Sequence, residues 1–187
     1  MEEPYMDDSV SKNSGRFTGF AGLYDQARPA MPLYPVEIIS RYLGRKPEIV
    51  VDPGCGTGLS SSVWRNHCEE LVGIEPSEDM LAVARQKERT GVSSRKGFSS
   101  STGMPDESVD VVVCSQSFHW MEPQSSLREI NRVLKPGGIF STVDCDWPPV
   151  SDWRVEKACT DLFEKRAYIG KTDNVVITSF IRRNKAE

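Results

Sequence analysis

The sequence predicts an α/β fold, a doubly wound, mostly parallel sheet with helices on both faces. Three observations predict it. From residue 49 onward, short apolar β-branched runs alternate with helical stretches, the rhythm of βαβ units with right-handed crossovers. The run Val109–Cys114 is close to continuously apolar, as expected of a strand buried on both faces. Three glycines at alternate positions follow the first run directly and precede a helical stretch.

The chain has 187 residues, enough for one ordinary domain with a real core, which at this size buries roughly 70% of its unfolded surface. Lys and Arg number 23 against 27 Asp and Glu, a net charge of -4. A balance of that kind lacks the basic field that holds a nucleic-acid backbone, so no nucleic-acid partner is expected. No window approaches the roughly 20 apolar residues of a membrane span, and no membrane partner is expected. The start, Met1-Glu2-Glu3-Pro4, is acidic and carries no leader signature, so a cytoplasmic location is the expectation. Five widely spaced cysteines, Cys55, Cys68, Cys114, Cys145 and Cys159, give neither a disulfide framework nor a metal pair, so no metal is expected. Oligomeric state is not legible.

Along the chain, residues 1–16 are polar and without hydrophobic period, a flexible segment ahead of a domain spanning 17–187. Phe17–Pro35 is aromatic, glycine-rich and broken by prolines, and reads as an irregular surface segment. A short helix follows from about Pro35 to Leu43, with proline suiting its first turn and Gly44 its end. Ile49–Val51 is the first strand, Thr57–His67 a helix and Leu71–Glu75 the second strand. Ser77 caps the next helix, with Glu78 and Asp79 in its first turn and Arg85, Lys87 and Arg89 toward its end, as the helix dipole favours. A weak strand is expected within Val92–Phe98, and a strong one at Val109–Cys114. Leu127, Ile130, Val133 and Leu134 recur at helical spacing until Pro136-Gly137-Gly138 stops the helix, and Ile139–Asp144 is a further strand. A last helix is expected over Asp152–Ala167 and a final strand over Asn174–Ile181. The stretch Trp147–Trp153 either walls a pocket or anchors that last helix.

The chemistry concentrates in Val51-Asp52-Pro53-Gly54-Cys55-Gly56-Thr57-Gly58. Glycines between a strand and a helix allow a tight turn and close backbone approach to a ligand. Glu75, 17 residues beyond Gly58 at the end of the second strand, is placed to accept hydrogen bonds from a ribose diol. The ligand therefore carries a nucleoside. No Lys or Arg lies in the loop, so it is not a P-loop, and Asp52 would repel a pyrophosphate while suiting a cationic group. S-adenosylmethionine, with a sulfonium, an ammonium and no phosphate, fits this pattern. Leu59 stands where a dinucleotide loop wants its third glycine. An NAD-dependent oxidoreductase is the competing reading, since backbone N–H groups alone can bind a pyrophosphate.

These residues resemble the first motif of class I S-adenosylmethionine-dependent methyltransferases, and Gly73-Ile74-Glu75-Pro76-Ser77 resembles the acid that follows it. Leu127–Gly138 is similar to the helix–turn–strand region of the type-11 branch. Phe17–Pro35 and Ser115-Gln116-Ser117-Phe118-His119-Trp120 add a likeness to its trans-aconitate methyltransferase-like subgroup. The resemblance implies a Rossmann-like fold and methyl transfer from S-adenosylmethionine to a small-molecule acceptor, with a carboxylic acid as one candidate. Asp52, Gly54, Cys55, Gly56, Gly58, Glu75 and Pro76 would bind the cofactor, Ser99 and Ser100 its adenine, and Gln116 would lie at the strand tips. His119 is the candidate general base, its unperturbed pKa being near neutrality, although a carboxylate acceptor would need none. Phe118-His119-Trp120 reads equally as packing of a site wall. Tyr24 and Arg28 fall in the lid-like segment, Tyr24 over the methyl donor and Arg28 against an acidic substrate.

Two departures stand out. Phe98–Thr102 holds no acid to read the adenine amino group, and the likeness ends near Ala167. The resemblance implies strand order 3-2-1-4-5-7-6, so the expectation is a chain shortened at its C-terminus, lacking part of the final strand pair. A cofactor-binding but catalytically impaired protein is the matching alternative.

Overall fold

A computed structural model describes residues 19–144, the exposed helical residues Arg154 and Lys157, and the backbone of Phe180–Arg182. The segment 1–16, the Trp147–Trp153 stretch, and most of the expected helix Asp152–Ala167 and of the 168–187 tail lie outside the described residues.

Strands β1 (Ile49–Pro53), β2 (Glu70–Glu75), β3 (Val92–Lys96), β4 (Val109–Ser115), β5 (Leu134–Val143) and β6 (Phe180–Arg182) form one sheet in the order β3-β2-β1-β4-β5-β6. The first five are parallel, and β6 runs antiparallel to β5 with Ile139 opposite Arg182. The chain leaves β1 in one direction for β2 and returns to its other side for β4. That reversal opens a crevice at the carboxyl ends of β1 and β4, where open α/β sheets bind ligands. One antiparallel strand flanks β5 where the resemblance implies two, and no second appears among the described residues.

Alternation along the strands divides the core into two layers. Val50, Leu71, Val111, Val113 and Ile139 face one side with Val36, Ile39 and Trp64; Val51, Val72, Ile74, Val112 and Phe140 face the other with Ile130 and Val133. Helices thus cover both faces: α2 (Tyr34–Leu43) on the first and α4 (Pro123–Val133) on the second. Helix α3 (Glu78–Gln86) buries Met80, Leu81 and Ala84 and packs beside β2 and β3. Proline in the first turn of α2 and Gly44 at φ 79 bound that helix as expected.

Four local expectations are corrected. Phe17–Pro35 is not wholly irregular, because Ala21–Ala27 forms helix α1, held by long-range bonds: Gly19 N–H donates to Asp79 Oδ2 (2.7 Å), and Asp25 pairs with Lys87. Thr57–His67 is no α-helix, since only Ser61–Trp64 is helical, as a 3-10 turn. Three consecutive serines explain this: Ser62 Oγ donates to Leu59 O (2.6 Å) and Ser61 Oγ to Asp52, bonds that compete with an α-helical backbone. Ser77 stands at the N-cap of α3 without a capping side-chain bond; its backbone N–H donates to Glu75 instead. Finally, β5 starts at Leu134 rather than Ile139, absorbing Pro136-Gly137-Gly138 as an irregularity that shifts register between Val109 and Val111.

Candidate cofactor and active site

The glycine loop is pinned to β2. Gly54 and Cys55 N–H both donate to Ile74 O, at 2.7 and 3.3 Å, and Gly56 N–H donates to Glu75 Oε2 at 2.9 Å. Glu75 Oε1 accepts from Ser77 N–H at 2.8 Å, so the carboxylate ties the loop to the start of α3. Burial pushes its carboxyl up, and the Ser77 and Gly56 N–H groups pull it back. Each oxygen keeps a further lone pair, leaving capacity for a ribose diol.

Gly54 and Gly56 both have positive φ, 70° and 57°, but for different ends. A Cβ at Gly54 would fall 2.7 Å from Ser117 Cβ, so this glycine permits close packing of the β4 tip. A Cβ at Gly56 would meet nothing within 4 Å. The space above Gly56 is open, and it lies beside the Glu75 carboxylate.

Asp52 is almost fully buried at the end of β1. Its Oδ2 accepts from Ser61 Oγ at 2.6 Å, while Oδ1 is buried with no hydrogen-bond partner. Burial pushes its carboxyl up to about 7; the Ser61 hydroxyl opposes this and the Glu75 charge adds to it. A buried carboxylate oxygen without a donor is costly, and a cationic ligand bearing N–H groups would relieve it. This orphaned oxygen, the open space over Gly56 and the absence of a cation in the loop fit S-adenosylmethionine. Asp52, Glu75 and the loop backbone would hold it.

Among the other expected cofactor residues, Cys55 contributes only its backbone, because its Sγ packs inward to where a Cβ at Gly73 would fall 2.7 Å away. Burial and the charges of Asp52 and Glu75 push its thiol well up, so it is an inert filler. Gly58 rests over Ala84 of α3, and Pro76 is half-buried between Glu75 and Ser77. Ser99 is engaged elsewhere, its hydroxyl 2.7 Å from that of the buried Ser126, and Ser100 is exposed. The neighbouring Thr102 donates from N–H and Oγ1 to Glu129 Oε1, at 2.8 and 2.7 Å. An acid from α4 thus fixes the loop in which the sequence has none.

The tip of β4 closes the site's other side. Gln116 adopts φ 52, and its N–H donates to Val143 O at 2.8 Å. That left-handed conformation costs a non-glycine residue about 1–2 kcal/mol and turns the chain sharply off the strand. Ser117 Oγ then donates to Pro53 O at 2.9 Å, joining this turn to the glycine loop. Phe118–Trp120 forms a 3-10 turn, with the Phe118 ring on Phe140 and the His119 ring tilted on Trp120 at 4.8 Å. His119 is half-exposed, with Nδ1 3.8 Å from Asp144 Oδ1 just beyond β5. Tyr24 and Arg28 lie on and after α1, with the guanidinium 5.6 Å from the Tyr24 ring centroid. The Arg28 charge is thus seated on an aromatic face. Sequence reasoning missed Ser61, Ser117 and Asp144, for none carries a local signal and only strand pairing assembles them.

Fold and site define a Rossmann-like domain whose glycine loop and buried acids fit a cationic nucleoside. Comparison with known proteins gives its kind. Residues 51–142 match the family model described as a methyltransferase domain. An uncharacterized methyltransferase-like protein of Schizosaccharomyces pombe is 35% identical over 122 residues, 64% of this chain and 47% of the relative. The malonyl-[acyl-carrier protein] O-methyltransferase of Serratia marcescens is 29% identical over 141 residues, 73% of this chain and 55% of that one. A candidate type II methyltransferase from Anaeromyxobacter dehalogenans superposes with a TM-score of 0.63 at 25% identity, covering 74% of this chain and 59% of the other. Residues 51–142 are therefore a class I S-adenosylmethionine-dependent methyltransferase domain. The chain spans about half the length of the curated relatives it matches. No helix among the described residues is long and apolar enough to cross a membrane.

Proposed function

We propose that the protein transfers the methyl group of S-adenosylmethionine to a small-molecule acceptor rather than to nucleic acid. The observation that carries this reading is the open space over Gly56, whose N–H is held by the Glu75 carboxylate, in a loop that the buried Asp52 carboxylate, one oxygen of it unpartnered, directly precedes. When bound, the cofactor supplies a sulfonium methyl with a thioether leaving group, so the chain's task is to orient and to exclude water. The loop backbone sets the position, Glu75 takes the ribose, and Asp52 faces the amino-acid end. The turn Phe118–Trp120 walls the acceptor side. Similarity to a malonyl-[acyl-carrier protein] O-methyltransferase favours, as a second reading, an acceptor bearing a carboxyl group.

Calorimetry with S-adenosylhomocysteine tests the first reading. Binding in the micromolar range is expected, weakened tenfold or more in Glu75→Gln, which removes a charge-assisted acceptor worth roughly 1.5–3 kcal/mol. Failure of the wild-type chain to bind, or tight binding of NADH in its place, would overturn it.

A further inference from the structure

The tips of β4 and β5 bring together two groups 25 positions apart in the sequence. Ser115 pairs with Val143, and the Gln116 N–H donating to Val143 O locks the chain exit of β4 to that of β5. His119 is carried by the turn that follows the first tip and Asp144 directly follows the second. The turn is rigidly built: Phe118 packs on Phe140, Ser117 bonds to Pro53 O, and Trp120 N–H and Met121 N–H donate to Ser117 O and Phe118 O, at 3.0 and 3.1 Å. The Asp144 side chain is 25% exposed and that of His119 51%, so the carboxylate is sheltered and the imidazole reaches solvent. Nδ1, not Nε2, is the ring nitrogen nearest the carboxylate. Their 3.8 Å separation is an ion-pair distance, and contacts of this kind commonly tighten to hydrogen bonds when ligand binds.

We propose that Asp144 is a positioning residue that keeps a proton on His119 Nδ1, leaving the Nε2 lone pair at the strand tips to take a proton from the methyl acceptor. The inference rests on the methyl-transfer reading and narrows its acceptor to one that must lose a proton, a hydroxyl or an amine N–H. In the step, the acceptor's X–H bond breaks and its proton passes to Nε2. The acceptor's electron pair forms the new bond to the methyl carbon, and the electrons of the breaking C–S bond stay on sulfur. The resulting imidazolium is balanced by Asp144 and returns its proton to water. A carboxylate at neutral pH has no proton to give, so this pair would be idle with such an acceptor. A carboxylate that orients one ring nitrogen and so frees the other is a general device for making histidine a base.

The chain has two histidines, which makes the test direct. Nitrogen-15 spectra of the neutral imidazoles report which nitrogen holds the proton. His119 should carry it on Nδ1 in wild type and in Asp144→Asn, which keeps an acceptor oxygen, and should move it mainly to Nε2 in Asp144→Ala. His67 should not change, and retained S-adenosylhomocysteine binding reports that the variants are folded. A His119 proton on Nε2 in wild type, or an unchanged tautomer in Asp144→Ala, overturns the proposal. With labelled methyl donor and a small-molecule extract, wild-type products should be O- or N-methylated at formerly protonated atoms. They should drop at least tenfold in His119→Ala while S-adenosylhomocysteine binding persists. A carboxyl methyl ester formed equally by wild type and His119→Ala overturns it too. Loss of the underlying reading looks different: the wild-type chain would bind no S-adenosylhomocysteine, whatever the tautomer.

Discussion

Replacing Asp52 by asparagine should stabilise the ligand-free protein at alkaline pH while weakening its hold on the cofactor. The Asp52 carboxyl sits at about 7 instead of 3.8, chiefly because burial disfavours its charge, with the neighbouring Glu75 adding to the effect against the Ser61 hydroxyl. The folded chain therefore binds this proton more tightly than the unfolded chain. That contribution to stability is complete below the unfolded value and is lost as pH rises through about 7. At about 1.4 kcal/mol per tenfold difference, the loss at pH 8 is on the order of 4 kcal/mol. Local relaxation and water entry lower that penalty, so a gain of about 2 kcal/mol is expected in Asp52→Asn, or roughly 4–8 °C for a chain of this size. The substitution keeps an oxygen for the Ser61 hydroxyl, now 2.6 Å from Oδ2, and removes the charge that faces Glu75. Thermal unfolding at pH 5 and pH 8 without cofactor checks it. The variant should melt higher than wild type at pH 8 and by less than half that margin at pH 5, with weaker S-adenosylhomocysteine binding at both. A gap of the same size at both pH values would refute the reasoning.

Four further outcomes follow from contacts already described or adjoining them. Gly56→Ala should fold with a loss of only about 1–2 kcal/mol for its left-handed φ yet bind S-adenosylhomocysteine at least tenfold more weakly, because its methyl enters the open space. Gly54→Ala should instead lose stability visibly in a thermal melt, its Cβ meeting Ser117 at 2.7 Å. At the opposite end of the sheet, the buried Asp110 accepts from Arg45 (2.5 Å), Lys135 (3.1 Å) and the Glu48 and Ile49 N–H groups (2.8 and 2.9 Å). Burial raises its carboxyl, but these donors together hold it below the ordinary range. Its stabilisation is present above the unfolded value and is lost as pH falls through the depressed folded one. Asp110→Ala should therefore cost about 3–5 kcal/mol at pH 7 and flatten the acid limb of denaturant titrations. Asp25→Asn, which breaks the ion pair to Lys87, should speed amide exchange in α1 and leave that of β1 and β4 unchanged.

What the sequence made legible, and what it hid, follows from where the information for each element resides. Strands β1, β2 and β4 were readable to within two residues because burial on both faces demands near-continuous apolar runs, which survive in one dimension. The loop was readable for a similar reason: close backbone approach demands glycine, and a phosphate-free cationic ligand tolerates the acid at Asp52. Helix α1 was hidden because it buries only Ala21 and is held by Asp79 and Lys87, some 60 residues away. The helix expected after the glycine loop failed on side-chain chemistry, since serine hydroxyls take the roles that helix bonds would fill. His119 was legible as a candidate, but its partner was not. Asp144 follows an ordinary strand in the sequence, and only the pairing of Ser115 with Val143 brings it beside the imidazole. The proposed cofactor cradle is therefore written in two short stretches, residues 51–58 and Glu75 at the tip of β2. The proposed acceptor side depends on strand register, so a substitution that slips β5 against β4 should part His119 from Asp144 while sparing the proposed nucleoside cradle.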